Sequence, residues 1–359
     1  MSQSPVKSAN LELSGDPNDP GDQSPIQEKR KLSRRTAKNH LFSFLGSESF
    51  VLFLCLAAFV IFAPFTPGFA SRANLSNILI SGLPLLLLAT GQTVVLITGG
   101  IDLSVTAIIG LSSIVGALVM NGDHGLLARH PFAAPAGFAV MLGTGALVGF
   151  LNGACIAWLR MPAFMVTLTT MMFFSGFAIW LAKAAVNAES IYNLPSAFLA
   201  IGTSPWKAVT VAVISTLTAH LILSRTLLGR WLYAVGHNPR TSLISGVPVA
   251  GVVVSGYVIS GVFAGLAAIL LTAALETGSP NHGKALLLDV IGAAVIGGTS
   301  LFGGKGKVLW TVYGVLFLSL LGNGLNQLNF SDFMITIIKG SVILVAALLD
   351  RWRSKFVGV

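Results

Sequence analysis

From residue 48 to residue 350 the chain is a series of apolar stretches, each about long enough to cross a bilayer. Two short glycine-rich polar segments interrupt them. One is Thr98-Gly99-Gly100-Ile101-Asp102-Leu103-Ser104, and the other is Gly297-Gly298-Thr299-Ser300-Leu301-Phe302-Gly303-Gly304-Lys305-Gly306. Soluble domains rarely set glycine pairs and polar caps between segments this apolar. Membrane proteins do so where helices break or turn, and transporters use such breaks. Composition agrees: 54% of residues are hydrophobic and 10% are charged, against about 25% charged in soluble domains. The chain is therefore solvated mainly by lipid, and the pattern implies a membrane permease.

The net charge of +9 carries no nucleic-acid reading, because basic residues in a membrane protein are read by their position relative to the spans. Crossings are predicted near 48–66, 76–98, 103–120, 132–159, 162–182, 207–224, 248–275, 285–298, 308–327 and 333–350. The segment at 285–298 is short and must borrow flanking residues or be partly buried in protein. With the N-terminus inside, the outer segments hold only Arg72, Arg129, Lys183, Lys207 and Lys284 of the 22 Lys and Arg. Lys339 lies within a span and all the others fall inside. This asymmetry places both termini in the cytoplasm.

Residues 1–47 differ from the rest. They combine Asp16, Asp19, Asp22, Pro17 and Pro20 with a basic run from Lys29 to Lys38 and show no apolar periodicity. Such a segment is expected to be a disordered cytoplasmic tail, too long and acidic for a cleaved signal peptide. The permease domain is expected over 48–352, with a short tail over 353–359. The two cysteines, Cys55 and Cys155, lie in apolar segments and read as small core residues. Gly143, Gly145, Gly149 and Gly153 in one span, and Gly256, Gly261 and Gly265 in another, read as close helix packing.

Several polar residues in apolar surroundings are candidates for a solute path or its gating. Asp102 stands before a strongly apolar helix, where its side chain can cap the first free N–H groups with Ser104 nearby; a role in gating is compatible with that. Asp289 and Lys339 lie about 6 and 9 Å below the outer surface. Either they form an ion pair across helices or each reaches water in an outer cavity; a lone charge at that depth is costly. Asn152, Asn323 and Asn326 can hydrogen-bond between helices or line a polar path, and the last two are predicted to share a helix face. Gln92 and Thr93 sit just before the first glycine break and can face the same path.

One motif is rejected. Gly278-Ser279-Pro280-Asn281-His282-Gly283-Lys284 has the spacing of a phosphate loop, but Ala285 stands where a Mg²⁺-binding hydroxyl is needed, and an apolar helix precedes it. It reads as an outer loop. No metal-ligating cluster and no nucleophile–base pair is apparent, so the chain is expected to be no enzyme and to bind no cofactor. The longest inner loop spans 225–247. Gly236 with Asn238-Pro239 marks a turn in it, and a short amphipathic helix is predicted from Pro239 to Ser245.

Five stretches together resemble the permease subunits of ribose-type ABC importers, the group of ribose, xylose, arabinose and galactose permeases. They are Gly100-Ile101-Asp102-Leu103-Ser104-Val105, Pro162-Ala163-Phe164-Met165-Val166-Thr167-Leu168, and Leu228-Gly229-Arg230 through Ala234-Val235-Gly236-His237-Asn238-Pro239. The others are Leu288-Asp289 through the 297–306 segment, and Asn323-Gly324-Leu325-Asn326. The resemblance covers about residues 48–352. It implies an all-α integral membrane bundle of about ten transmembrane helices, with the type II-like importer fold. It implies a second permease subunit, two cytoplasmic ATPase domains that carry ATP and Mg, and a periplasmic sugar-binding protein. It also implies that Gly229, Arg230, Gly236, His237, Asn238, Pro239, Arg240, Thr241 and Gly246 belong to the region that couples to the ATPase. The expected solute is a monosaccharide or polyol; a nucleoside or another small polar solute, or an ion-gradient carrier, is the alternative. Three positions depart from the family pattern. Thr106 replaces a glycine, Arg240 replaces a glutamate in the coupling sequence, and Leu288 replaces an acidic residue before Asp289.

Overall fold

The computed structural model describes residues 48–357. The predicted tail over 1–47 lies outside them. The described residues form helices at every predicted crossing: α1 (Glu48–Phe65), α2 (Arg72–Ile97), α3 (Val105–Met120), α4 (Ala133–Ala157) and α5 (Ala163–Val186). After a short α6 (Ser196–Thr203) come α7 (Pro205–Arg225), α8 (Leu227–His237), α9 (Pro239–Ile244) and α10 (Val249–Ala274). A 3₁₀ turn over Lys284–Leu286 leads into α11 (Leu287–Ile296), followed by α12 (Val308–Gln327) and α13 (Asp332–Val357). Helix α13 therefore runs past residue 353, where a separate tail was expected.

Six of these helices, α2, α4, α5, α7, α10 and α12, are long and apolar enough to cross a membrane. Helices α1 and α3 are shorter apolar helices. Helix α11 has 10 residues, about 15 Å, half the hydrocarbon thickness. It resolves the two options left for that segment: Asp289, Val290 and everything from Gly292 to Ile296 are buried, so α11 is enclosed by protein.

Helices α2 and α10 form the interior, whereas α5 and α7 are largely exposed along their length. The most extensive packing is between α4 and α10. Its cause is legible in the glycines. A Cβ on Gly145 would strike the Gly261 carbonyl, one on Gly149 the Tyr257 carbonyl, and one on Gly265 would come within 2.9 Å of the Met141 carbonyl. Without a hydrophobic force between helices in lipid, such close backbone approach supplies the packing energy. Gly143, facing open space, and Gly256, which has only ordinary contacts with Thr98 and Leu232, are the exceptions. Both cysteines are free; Cys55 is buried and Cys155 half-buried.

At one end of the bundle, the loop after α5 and the loop after α10 join through mutual backbone hydrogen bonds between Ile191 and Gly278. The rejected phosphate-loop segment lies here. Its Ser279 N–H donates to Ser113 Oγ at 3.1 Å, which in turn lies 2.7 Å from Thr272 Oγ1. His282 Nε2 sits 2.8 Å from the Thr277 carbonyl. Burial pushes the His282 imidazole below its ordinary value, opposed by that carbonyl. The segment is a tethered loop between helices.

Candidate functional site at the two helix breaks

Residues 98–104 lead from α2 into α3; Gly99 is exposed and its neighbours half-buried, whereas Asp102 and Ser104 are fully buried. Gly99 turns the chain with a left-handed φ of 81°, a conformation that favours glycine. Gly100 leaves no room for a side chain because Tyr257 Oη lies against it. The backbone groups freed by the break are then satisfied by side chains from three helices. Thr167 on α5 donates to the Ile101 carbonyl at 3.2 Å, and Tyr257 on α10 approaches the same oxygen at 3.4 Å. With its amide oriented so that Nε2 meets the carbonyl (3.0 Å) and Oε1 the N–H (3.2 Å), the arrangement that satisfies both groups, Gln92 on α2 clasps the Asp102 backbone.

The Asp102 carboxylate is the hub of this segment. Its Oδ1 accepts from the Ser104 N–H at 3.0 Å and from Ser104 Oγ at 2.6 Å. Its Oδ2 accepts from Ser260 Oγ on α10 at 2.8 Å. Asn152 Nδ2 on α4 donates to Ser104 Oγ at 2.7 Å, while its own Oδ1 is buried without a partner among the described residues. Contrary to the expectation, Asp102 does not cap the free N–H groups of α3. It binds one residue earlier and ties the unwound segment to α10, and through Ser104 to α4. A buried carboxylate is tolerated only when hydrogen-bonded in this way.

Thr93, grouped with Gln92 from the sequence, points elsewhere: its hydroxyl lies 2.6 Å from that of Thr311 on α12. Asn323 also finds a partner, exchanging hydrogen bonds of 3.0 and 3.1 Å with Asn74 on α2; Gln327 donates to Asn74 as well. Asn326 is exposed instead, so the predicted shared face separates into one paired amide and one free to contact solvent or solute. Asp289 on α11 and Lys339 on α13 form an ion pair at 2.6 Å, with side chains 12% and 21% exposed. The ion-pair alternative is the one the fold adopts.

The second break meets the first. Gly304 N–H donates to the Ile97 carbonyl at 2.9 Å, and Ser300 N–H to the Lys305 carbonyl at 3.0 Å, closing the 300–305 loop on itself. Gly303 and Gly304 both take left-handed φ values, 86° and 71°. Gly236 packs against the same Ile97 carbonyl and the Gly304 N–H so closely that any Cβ would collide. Tyr233 Oη donates to the Gly306 carbonyl at 2.7 Å; burial pushes its phenol above the ordinary value.

This corrects the turn expected at Gly236. Residues 227–237 are helical, and Gly236 lies inside α8. Thr226 caps that helix, accepting from the Gly229 N–H at 3.1 Å. Gly229, Leu232 and Val235 form its buried stripe. The turn falls at Asn238 alone, whose side chain accepts from the Thr241 N–H at 3.0 Å while Pro239 opens α9. Such a cap contributes about 0.5–2 kcal/mol. The predicted helix from Pro239 to Ser245 is present as Pro239–Ile244, closed by Gly246 at φ 83°. His237, Asn238, Pro239, Arg240 and Thr241 are exposed, as is Arg230, while Gly229 is buried. The sequence signal for α8 was available in Thr226 and in the spacing of Leu228, Leu232 and Val235.

Among the described residues no group of His, Cys, Asp or Glu could hold a metal ion. No solved structure matches the chain. Curated proteins do. The ribose import permease protein RbsC of Bacillus subtilis (strain 168) is 37% identical over 308 residues, 82% of this chain and 90% of that protein. The D-allose transport system permease protein AlsC of Escherichia coli (strain K12) is 34% identical, over 90% of this chain and 98% of that protein. The galactose/methyl galactoside import permease protein MglC of the same organism is 31% identical, over 90% of this chain and 98% of its own length. The model of a family described as "Branched-chain amino acid transport system / permease component" matches residues 74–347. The chain belongs to this family of membrane permeases, in the company of sugar import permeases.

Proposed function

We propose that the chain is the membrane-spanning subunit of an ATP-driven importer that carries a monosaccharide or polyol across the bacterial inner membrane. The observation that carries this reading is that relatives named as ribose, allose and galactose permeases align over at least 82% of the chain. In this reading the chain crosses the membrane about ten times, α11 completing its crossing through the 3₁₀ turn and the loop before it. The end bearing α8 and α9 faces the cytoplasm with both termini, in keeping with the placement of Lys and Arg.

The chain itself hydrolyses nothing. A separate ATPase binds ATP and Mg, a second permease subunit, most simply a copy of this chain, completes the path, and a periplasmic binding protein delivers the solute. Exposed α9 docks in the ATPase. Closure of the ATPase moves α9 and α8; Gly236 passes the movement to Ile97 and Gly304, where both helix breaks meet. The Asp102, Ser104, Asn152 and Gln92 cluster lies directly beyond the first break and acts as its stiffener. Asp289, Lys339, Asn323 and Asn326 lie near the other end and bear on the outer part of the path.

The test is purification of the tagged chain from native membranes in mild detergent, with uptake assays on pentoses, hexoses, polyols, nucleosides and amino acids. A P-loop ATPase near one-to-one with the chain, and sugar uptake lost when that ATPase is inactivated, is the expected result. A chain that comes alone, with uptake that collapses when the proton gradient is dissipated, replaces this reading with an ion-gradient carrier.

A further inference from the structure

The loop after α11 is built unlike an ordinary connection. It is closed on itself by the Ser300 to Lys305 hydrogen bond and fastened to the end of α2 through Gly304 and Ile97. Tyr233 fastens its far side to α8. Two consecutive left-handed glycines are spent on its shape, and the Phe302 N–H is held by Ser300 Oγ at 3.2 Å. Yet this anchored loop presents Phe302 with 75% of its surface exposed. A large apolar side chain on a rigid polar loop marks an interaction surface when it is continuous with others. Here the loop adjoins a second element with exposed apolar groups: Gly303 and Gly304 pack on Gly236 and His237 at the α8–α9 junction, and α9 exposes Leu243 at 65% and Ile244 at 88%. The same two elements carry His237, Arg240 and Lys305, all exposed. No acidic residue lies in 225–247 or 297–307.

We infer that the 300–305 loop is a second docking element for the ATPase, beside α9, and that the ATPase surface receiving the pair is acidic around an apolar pocket for Phe302. The inference rests on the importer reading above and adds to it. A single docking element leaves the ATPase free to pivot about it. Two elements joined through Gly236, Gly304 and Ile97 hold the ATPase in a fixed orientation, so its rotation reaches both helix breaks together. Complementary charge sets which ATPase is accepted and how fast it associates more than how tightly it binds. The Arg240 found where the family pattern has glutamate then selects a matched partner.

The test places a photo-crosslinking benzoylphenylalanine at Phe302, at Leu243 and, as an opposite-end control, at Tyr192, in the full chain in native membranes. Adducts are assigned to the ATPase by nucleotide photolabelling and mass spectrometry. Adducts from Phe302 and Leu243 but not from Tyr192 are expected. An adduct from Leu243 alone, with Phe302 giving lipid adducts or none, overturns the inference and leaves the importer reading standing. No ATPase adduct from either site overturns both. Separately, Lys305→Gln is expected to weaken the salt dependence of ATPase association; an unchanged salt dependence overturns the acidic character assigned to the partner.

Discussion

Gly236 shows how much a single residue can carry without any side chain. It sits in a helix with ordinary backbone angles, so helix geometry alone gives no reason for glycine. The reason is the Ile97 carbonyl pressed against its Cα. Gly236→Ala is expected to cost at least the about 1–3 kcal/mol of an overpacked core, because backbone on both sides cannot yield. Gly251→Ala, in a helix and facing open space, is expected to be neutral or to stabilise by about 0.5–1 kcal/mol. Melting temperatures of the two purified variants in detergent check the contrast. A Gly236→Ala protein as stable as the wild type would remove the close contact from the coupling route. Asp102 has a similar lesson. Its position before an apolar helix pointed to a cap, and its importance was legible. Its true partners, Ser104 and Ser260, were not, because Ser260 is 158 residues away and only the packing of α10 against the break brings it there.

At the scale of elements, the short α11 is the informative one. Its upper end carries Asp289, paired with Lys339 of α13, and its lower end runs through Gly297, packed on the Trp310 carbonyl, into the loop that touches α8. The helix is thus a strut of about 15 Å between the ion pair and the loop that meets the coupling region. Removing one partner of a fully buried pair costs about 3–5 kcal/mol. This pair is partly exposed, so a smaller loss is expected for Lys339→Ala or Asp289→Ala. The exchanged pair, Asp289→Lys with Lys339→Asp, is expected to recover part of the uptake that each single change removes. A double variant no better than the singles would end the ion-pair account of its role. The length and enclosure of α11 were half legible: its apolar run was too short to span, and burial in protein was one of two ways out. Helix α8 was missed because turn residues Gly236, Asn238 and Pro239 dominate its end, while Thr226 and the apolar stripe that define the helix are quieter signals.

For the whole molecule, orientation is the claim on which the coupling surface depends. Cysteine at Leu243 is expected to react with a membrane-impermeant maleimide only in inside-out vesicles, and cysteine at Tyr192 only in right-side-out cells, in a background without Cys55 and Cys155. The reverse pattern would invert the topology read from the positive residues. Hydropathy, the glycine breaks and the Lys and Arg asymmetry were readable because lipid imposes them segment by segment: each span must be apolar and hydrogen-bonded within itself. Family membership was readable because five short motifs stand in order along the chain. What the chain alone left open was which polar groups meet. The junction of Ile97, Gly236 and Gly304, the four-helix clasp on residues 101–104, and the choice of Asn323 rather than Asn326 for Asn74 all join residues far apart in sequence. They follow from the crossing of packed helices, whose close approaches depend on small residues matched across two surfaces at once, and no local pattern encodes that match.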